Sequence, residues 1–226
     1  LEGFIFIFIL IAIFAIVAAI YGHKKEKERS AAIGAWARAK GYQFHPDKVR
    51  HFDDEYPSFK YLRSGSNRYA WNIVGGREGE WHFTMCDYHY ETHSTDSKGN
   101  RQTHYHHFSC IFVQPDFPLS PMQIRREGFF DKIKSSFGFG DINFESAEFS
   151  RKFYVSGKDK RWVYDVVHNR TMEFLMAAPK ITIESDDVFL STRKDGRIKP
   201  EELDQQLGFA LSFLELIPEH VKKSAL

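Results

Sequence analysis

Hydrophobic and polar positions are distributed in three regimes along the chain. Phe4 to Tyr21 is an unbroken apolar run of phenylalanine, isoleucine, leucine, valine and alanine, with no polar group before the tyrosine hydroxyl. At about 1.5 Å per residue it makes a helix of roughly 27 Å, close to the ~30 Å hydrocarbon core of a bilayer. This pattern predicts a transmembrane anchor over 1–22. From Gly22 to Lys40 the residues are good helix formers, with Ala31, Ala32, Ala35, Trp36 and Ala39 at helical spacing and Gly41 placed to end the helix. A juxtamembrane helix over 23–41 follows from it. Beyond that, 42–226 reads as one α+β domain with a mainly antiparallel sheet and packed helices.

Within the domain, Tyr42 to Pro57 reads as a loop with one short strand. Period two then takes over: Phe59–Leu62, Arg68–Val74, Glu80–Thr92 and Arg101–Val113 are expected strands, with Gly75-Gly76 and Gly79 turning the second into the third. The cluster Asp96-Ser97-Lys98-Gly99-Asn100 joins the last two as a long hairpin. Trp81, Phe83 and Met85 alternate toward one face of it, as do Phe108, Cys110 and Phe112, and these are candidate core. Proline-rich chain then leads to a helix expected near Arg125–Ser135, strands at Ile142–Phe144 and Lys152–Val155, and a helical pattern over Asp159–Met176 that His168-Asn169 divides. Strands at Lys180–Ile183 and Val188–Ser191 precede a last helix, Pro200–Ile217, whose Leu203, Leu207, Ala210, Leu211 and Leu214 form an apolar stripe. Strands closed by one long helix are analogous to pleckstrin-homology-like barrels.

Charge adds orientation. Only Leu1, Glu2 and Gly3 precede the apolar run, whereas Lys24, Lys25, Lys27 and Arg29 follow it. Lysine and arginine near a span stay on the cytoplasmic side, so the N-terminus is expected outside and the domain in the cytoplasm, with the membrane crossed once. A secretory signal peptide would carry its positive charge before the apolar run, not after it. Across 226 residues the formal net charge is +1, which gives no ground for a nucleic-acid partner. Two cysteines, Cys86 and Cys110, are too few for a disulfide framework.

Candidate chemistry is thin. Six of the eleven histidines, His82, His89, His93, His104, His106 and His107, fall in the hairpin, and imidazole ligates zinc, copper and nickel. If paired positions sum to 197, His93 faces His104 and Glu91 faces His106, placing four candidate metal ligands on one face. If they sum to 196 the grouping dissolves, because one residue of slip flips each side chain to the other face. No dinucleotide fingerprint, phosphate loop or nucleophile elbow occurs, and no catalytic residue or cofactor is assigned.

The segment Asp141-Ile142-Asn143-Phe144-Glu145-Ser146-Ala147-Glu148-Phe149, continuing to Val155, and the segment Arg161 to Leu175 together resemble the signature of an uncharacterised bacterial family of membrane-anchored proteins. Arg63-x-Gly65, Asn72 to Gly76 and Asp87-Tyr88-x-Tyr90 are similar to that family as well. The resemblance covers Ala37 to Val221 and departs in the histidine-rich hairpin. It implies a bacterial source, an anchor and a cytoplasmic domain, and supplies no activity. In physical terms Phe144, Phe149, Phe153 and Val155 suit core positions, and Asp141, Glu145 and Glu148 beside Arg151 and Arg170 suit an ion-pair network.

These features lead to the expectation of a non-enzymatic, single-span accessory subunit of a larger membrane complex, with respiratory and photosynthetic assemblies as possible hosts. Its partners are the lipid bilayer and other integral membrane subunits. Contacts are expected through Phe4, Phe6, Phe8, Ile9, Ile13, Ile16, Lys24 and Lys25. The alternatives are a membrane-tethered sensor or ligand- or metal-binding module, and a hydrolase.

Overall fold

The computed structural model describes residues 2–127 and 139–223, with side chains in the first turns of the chain described at 7 and from 9 onward. A single helix, α1, runs Glu2–Ala39, so the expected anchor and juxtamembrane helix are one element. Among the described residues, no helix is long and apolar enough to cross a membrane. The expected span falls partly outside them, because the side chains of Phe4, Phe6 and Phe8 are not described. Ile9, Ile13 and Ile16 are exposed, as are Lys24 and Lys25.

After α1 the chain forms one eight-stranded antiparallel sheet. Its strands are β1 (Gln43–His45), β2 (Ser66–Glu78), β3 (Trp81–Thr95), β4 (Arg101–Gln114), β5 (Met122–Arg126), β6 (Phe153–Gly157), β7 (Thr182–Ser185) and β8 (Leu190–Asp195). Their spatial order is β1-β2-β3-β4-β8-β7-β5-β6. The helices α2 (Ala147–Lys152), α3 (Lys160–Val166), α4 (Asn169–Ala177), α5 (Leu203–Glu215) and α6 (Glu219–Lys223) complete an α+β domain. The break at His168-Asn169 lies where the sequence divides the helical pattern, between α3 and α4.

Several elements differ from expectation. Phe59–Leu62 is not a strand: Lys60–Arg63 forms a 3-10 turn that carries Tyr61 and Leu62 into the core. Arg125 and Arg126 belong to β5 rather than to a helix, and the rest of that expected helix falls mostly outside the described residues. Ile142–Phe144 is irregular, touching the sheet through an isolated bridge from Asp141 to Ser156. The Gly75-Gly76 pair sits inside β2, and the turn is made at Gly79, whose φ of 59° a side chain rarely adopts.

Both faces of the sheet are covered. On one, Phe83, Met85, Ile111 and Val113 pack with Ile33 and Ala37 of α1 and with Phe209, Phe213 and Leu214 of α5. On the other, the loop between β1 and β2 folds Phe52, Tyr56, Phe59, Tyr61 and Leu62 over Tyr88, Phe108 and Phe112. Tyr56 stacks on Phe112 with centroids 3.8 Å apart. The two triplets read from the hairpin are therefore core on opposite faces of the sheet, although Trp81 is half-exposed. Cys86 and Cys110 lie directly opposite each other with sulfurs 3.4 Å apart, both buried and both free thiols. Burial, and then Cys110, pushes the Cys86 thiol well up, which disfavours the reactive thiolate.

Candidate functional site

The register of the long hairpin decides the fate of the candidate metal ligands. Partners in β3 and β4 sum to 196, as in Cys86 with Cys110 and Thr92 with His104. Glu91 and His93 therefore share one face, while His104 and His106 share the other. The four do not converge, and among the described residues no cluster of three histidine, cysteine, aspartate or glutamate side chains could hold a metal ion. The imidazoles are instead rungs of the ladder. His106 bonds the Thr92 hydroxyl at 2.8 Å, His104 the Ser94 hydroxyl at 2.7 Å, and His93 the hydroxyls of Thr103 and Ser66 at 3.1 and 3.2 Å.

Polar groups do converge where α1 crosses the sheet. Asn72 sits at a bulge in β2, between the pairs Trp71 with Asp87 and Val74 with Met85, and its φ is 49°. The extra residue turns its side chain toward α1. There the Asn72 amide donates to Asp87 Oδ2 at 3.0 Å and its carbonyl accepts from the Ser30 hydroxyl at 2.7 Å. Asp87, 3% exposed, also accepts from Ser109 Oγ at 2.6 Å and from both terminal nitrogens of Arg29. Arg29 in turn donates to the Ile198 carbonyl at 2.6 Å. With three donor residues on one buried carboxylate, Asp87 has no free lone pair directed at a substrate. It locks a helix to a sheet.

One turn earlier on α1, Glu26 accepts from the Trp71 indole N–H at 3.1 Å and pairs with Arg197. Burial opposes its charge, but these two partners outweigh that and hold its carboxyl below the ordinary value. On the neighbouring strands His89 Nδ1 lies 3.0 Å from His107 Nε2, and the His89 ring stacks on Tyr69 at 4.6 Å, with the Lys48 ammonium on Tyr69 at 4.3 Å. Burial and then the His89 charge push the His107 imidazole down.

Above this network lies an open cavity of about 1020 Å³ between α1, the β1–β2 loop and the sheet. Its walls carry His23, Lys27, Lys48, His107 and Arg197 against Glu26 and Asp47, with Tyr69 and Trp71 as the aromatic floor. Lys27, Lys48 and Arg197 exceed Glu26 and Asp47 by one charge, a slight bias toward an anionic or strongly polar guest. A smaller groove of about 540 Å³ lies at the opposite end of the sheet, floored by Trp81, Phe117 and Leu211.

Asn72 and Asp87 open two of the family-like segments, Asn72 to Gly76 and Asp87-Tyr88-x-Tyr90, but no pattern in the sequence ties them to Glu26, Arg29 or Arg197. One signal was available for Asp87: it continues the inward alternation of Phe83 and Met85, and a charge on a core face demands partners. In the family-like segment, Glu148 pairs with Lys152 at 2.8 Å and Asp141 accepts from the Val155 N–H at 3.4 Å. Among the described residues no ion pair joins Asp141, Glu145 or Glu148 to Arg151 or Arg170. Phe149, Phe153 and Val155 are core and Phe144 packs against it.

No family model matches the chain, and no curated protein does. Among solved structures, the crystal structure of the mycobacterial trehalose monomycolate transport factor A, TtfA, is similar with a TM-score of 0.60. The match covers 84% of this chain and 96% of that one at 10% sequence identity. At that identity the likeness concerns the fold alone.

Proposed function

We propose that this chain is a non-enzymatic, single-span accessory subunit of a bacterial membrane protein complex, with its α+β domain on the cytoplasmic face, and that it belongs to the anchored family its signature resembles. The observation that carries the proposal is α1 itself. An exposed apolar run continues without a break into a helix whose Glu26, Arg29 and Ser30 are fastened to the sheet. Such a helix transmits the position of the span to the domain, a property an accessory subunit needs and a solvated tail does not. Packing rather than hydrophobicity drives helix association in lipid, so Phe4, Phe6, Phe8, Ile9, Ile13 and Ile16 are the surfaces offered to neighbouring helices.

The cavity favours one further reading, a membrane-tethered module that binds an anionic or polar ligand beside the span. Gentle solubilisation from native membranes distinguishes the two. An accessory subunit travels with integral membrane partners, and a photo-crosslinker at Ile13 captures them. Recovery of a monomer with no partner and no crosslink rejects the subunit role.

A further inference from the structure

The outer half of the β3–β4 hairpin extends beyond the strands that flank it, touching β2 through the bond between His93 and Ser66. β2 accompanies β3 only as far as Glu91, and β8 accompanies β4 only as far as Ser109. From Thr92 to His104 the two strands pair with each other alone, as a polar ribbon standing out of the sheet. A lone two-stranded ribbon in water is marginally stable, so its length asks for a partner.

The geometry places that partner. Near its C-terminal end α1 meets the base of the sheet, where Tyr42 N–H donates to the Ala37 carbonyl at 2.8 Å and the Tyr42 ring contacts Phe83 at 4.8 Å. Toward the N-terminus, Arg29 meets Asp87, and His23 lines the same cavity as Tyr69 and His107. Each step back along α1 is therefore a step along β3 toward the hairpin tip, so the apolar run leaves the domain on the tip's side. From Arg29 to Tyr21 the helix rises about 12 Å, whereas from Asp87 to Thr95 the strand extends about 26 Å. Strictly parallel to α1 the tip would pass Tyr21 by about 14 Å, and a strand that diverges from the helix by about 60° brings it level with the point at which α1 turns apolar.

Its chemistry suits that level. The Asp96 carboxylate is turned inward, accepting from the Lys98 and Asn100 backbone N–H groups at 2.9 and 2.8 Å and from the Asn100 side chain at 3.0 Å. Lys98 and Arg101 are exposed, and neither has an ion pair among the described residues. The single acid of the turn is spent on holding its shape, and two cations point outward beside His93 and His104. We infer that the β3–β4 tip is a second membrane contact, in which Lys98 and Arg101 engage the phosphates of an anionic lipid surface while α1 spans the bilayer. This rests on the proposed span. Two contacts on one rigid body would fix the tilt of the domain over the membrane, which a single helix leaves free.

The test uses the full chain in nanodiscs of phosphatidylcholine with or without phosphatidylglycerol. A fluorophore is attached at S97C, and for comparison at K158C at the opposite end of the sheet; the buried native cysteines are checked with the unmodified chain. In discs with phosphatidylglycerol, a spin label on the lipid headgroups should quench the Ser97 fluorophore, and its accessibility to aqueous iodide should fall several-fold. The Lys158 fluorophore should show neither effect, and K98E with R101E should abolish both at Ser97. Quenching that is absent, or the same in both lipids, overturns the inference. Failure of the chain to remain in discs at all overturns the span instead.

Discussion

At the scale of single residues, Asp87 is the most consequential side chain in the domain. Its carboxylate gathers Arg29, Asn72 and Ser109 from three different elements, in a place where charge is costly unless paired. D87A leaves a partly buried guanidinium and two polar groups without their acceptor, and should lower unfolding stability by about 3–5 kcal/mol. Replacing both ions, R29M with D87L, should recover much of that loss, since an apolar pair of similar volume removes the uncompensated charge as well. Denaturant titration of the three variants measures both effects. A stable D87A chain would show that α1 does not depend on this lock. The residue was legible in part: the alternation of Phe83 and Met85 extends to it, but its partners lie 58 positions away on α1 and 22 away on β4, and no local pattern connects them.

At the scale of elements, α1 shows how an apolar count finds only part of the packed face. Of the residues at helical spacing, Ala31, Ala35 and Ala39 face solvent, whereas Ala32 is half-buried and Trp36 packs against the core; the face against the sheet runs through Glu26, Arg29, Ser30, Ile33, Gly34 and Ala37. That stripe is polar where it meets the Asp87 network and small where the helix approaches β1. At Gly34 an added Cβ would lie 2.7 Å from the Phe44 ring. G34L should therefore push α1 off the sheet and cost roughly 1–3 kcal/mol, and F44A in the same chain should return part of it, as read by thermal unfolding. No loss in G34L would mean that α1 does not pack as closely as the backbone indicates. The hairpin carries a related lesson. Strands, turn and core candidates follow from period two, but the register depends on which residues the turn consumes. A five-residue turn held by Asp96, with Gly99 at a φ of 84°, makes the sum 196 and separates the histidines.

At the scale of the whole molecule, the α+β class and antiparallel pairing follow from the order of patterns along the chain. The strand order and the second core do not. The loop from Pro46 to Gly65 has no clear period, yet it supplies the aromatic cover of one sheet face, with Tyr56 stacked on Phe112 and Tyr61 bonded to Ser191 at 2.5 Å. Both cores and the polar lock lie between Glu26 and Val221, and the described side chains of α1 before Glu26 are exposed. The domain should then fold without the apolar run. A chain of residues 23–226 should unfold in one transition, within about 1 kcal/mol of the domain in the full-length protein, because it keeps each partner of Asp87. A chain of 31–226 lacks Glu26, Arg29 and Ser30, leaves Asp87 buried without its cation, and should be less stable by about 3–5 kcal/mol. Equal stability of the two truncated chains would detach α1 from the domain, and with it the argument that the helix carries the position of the span into the sheet.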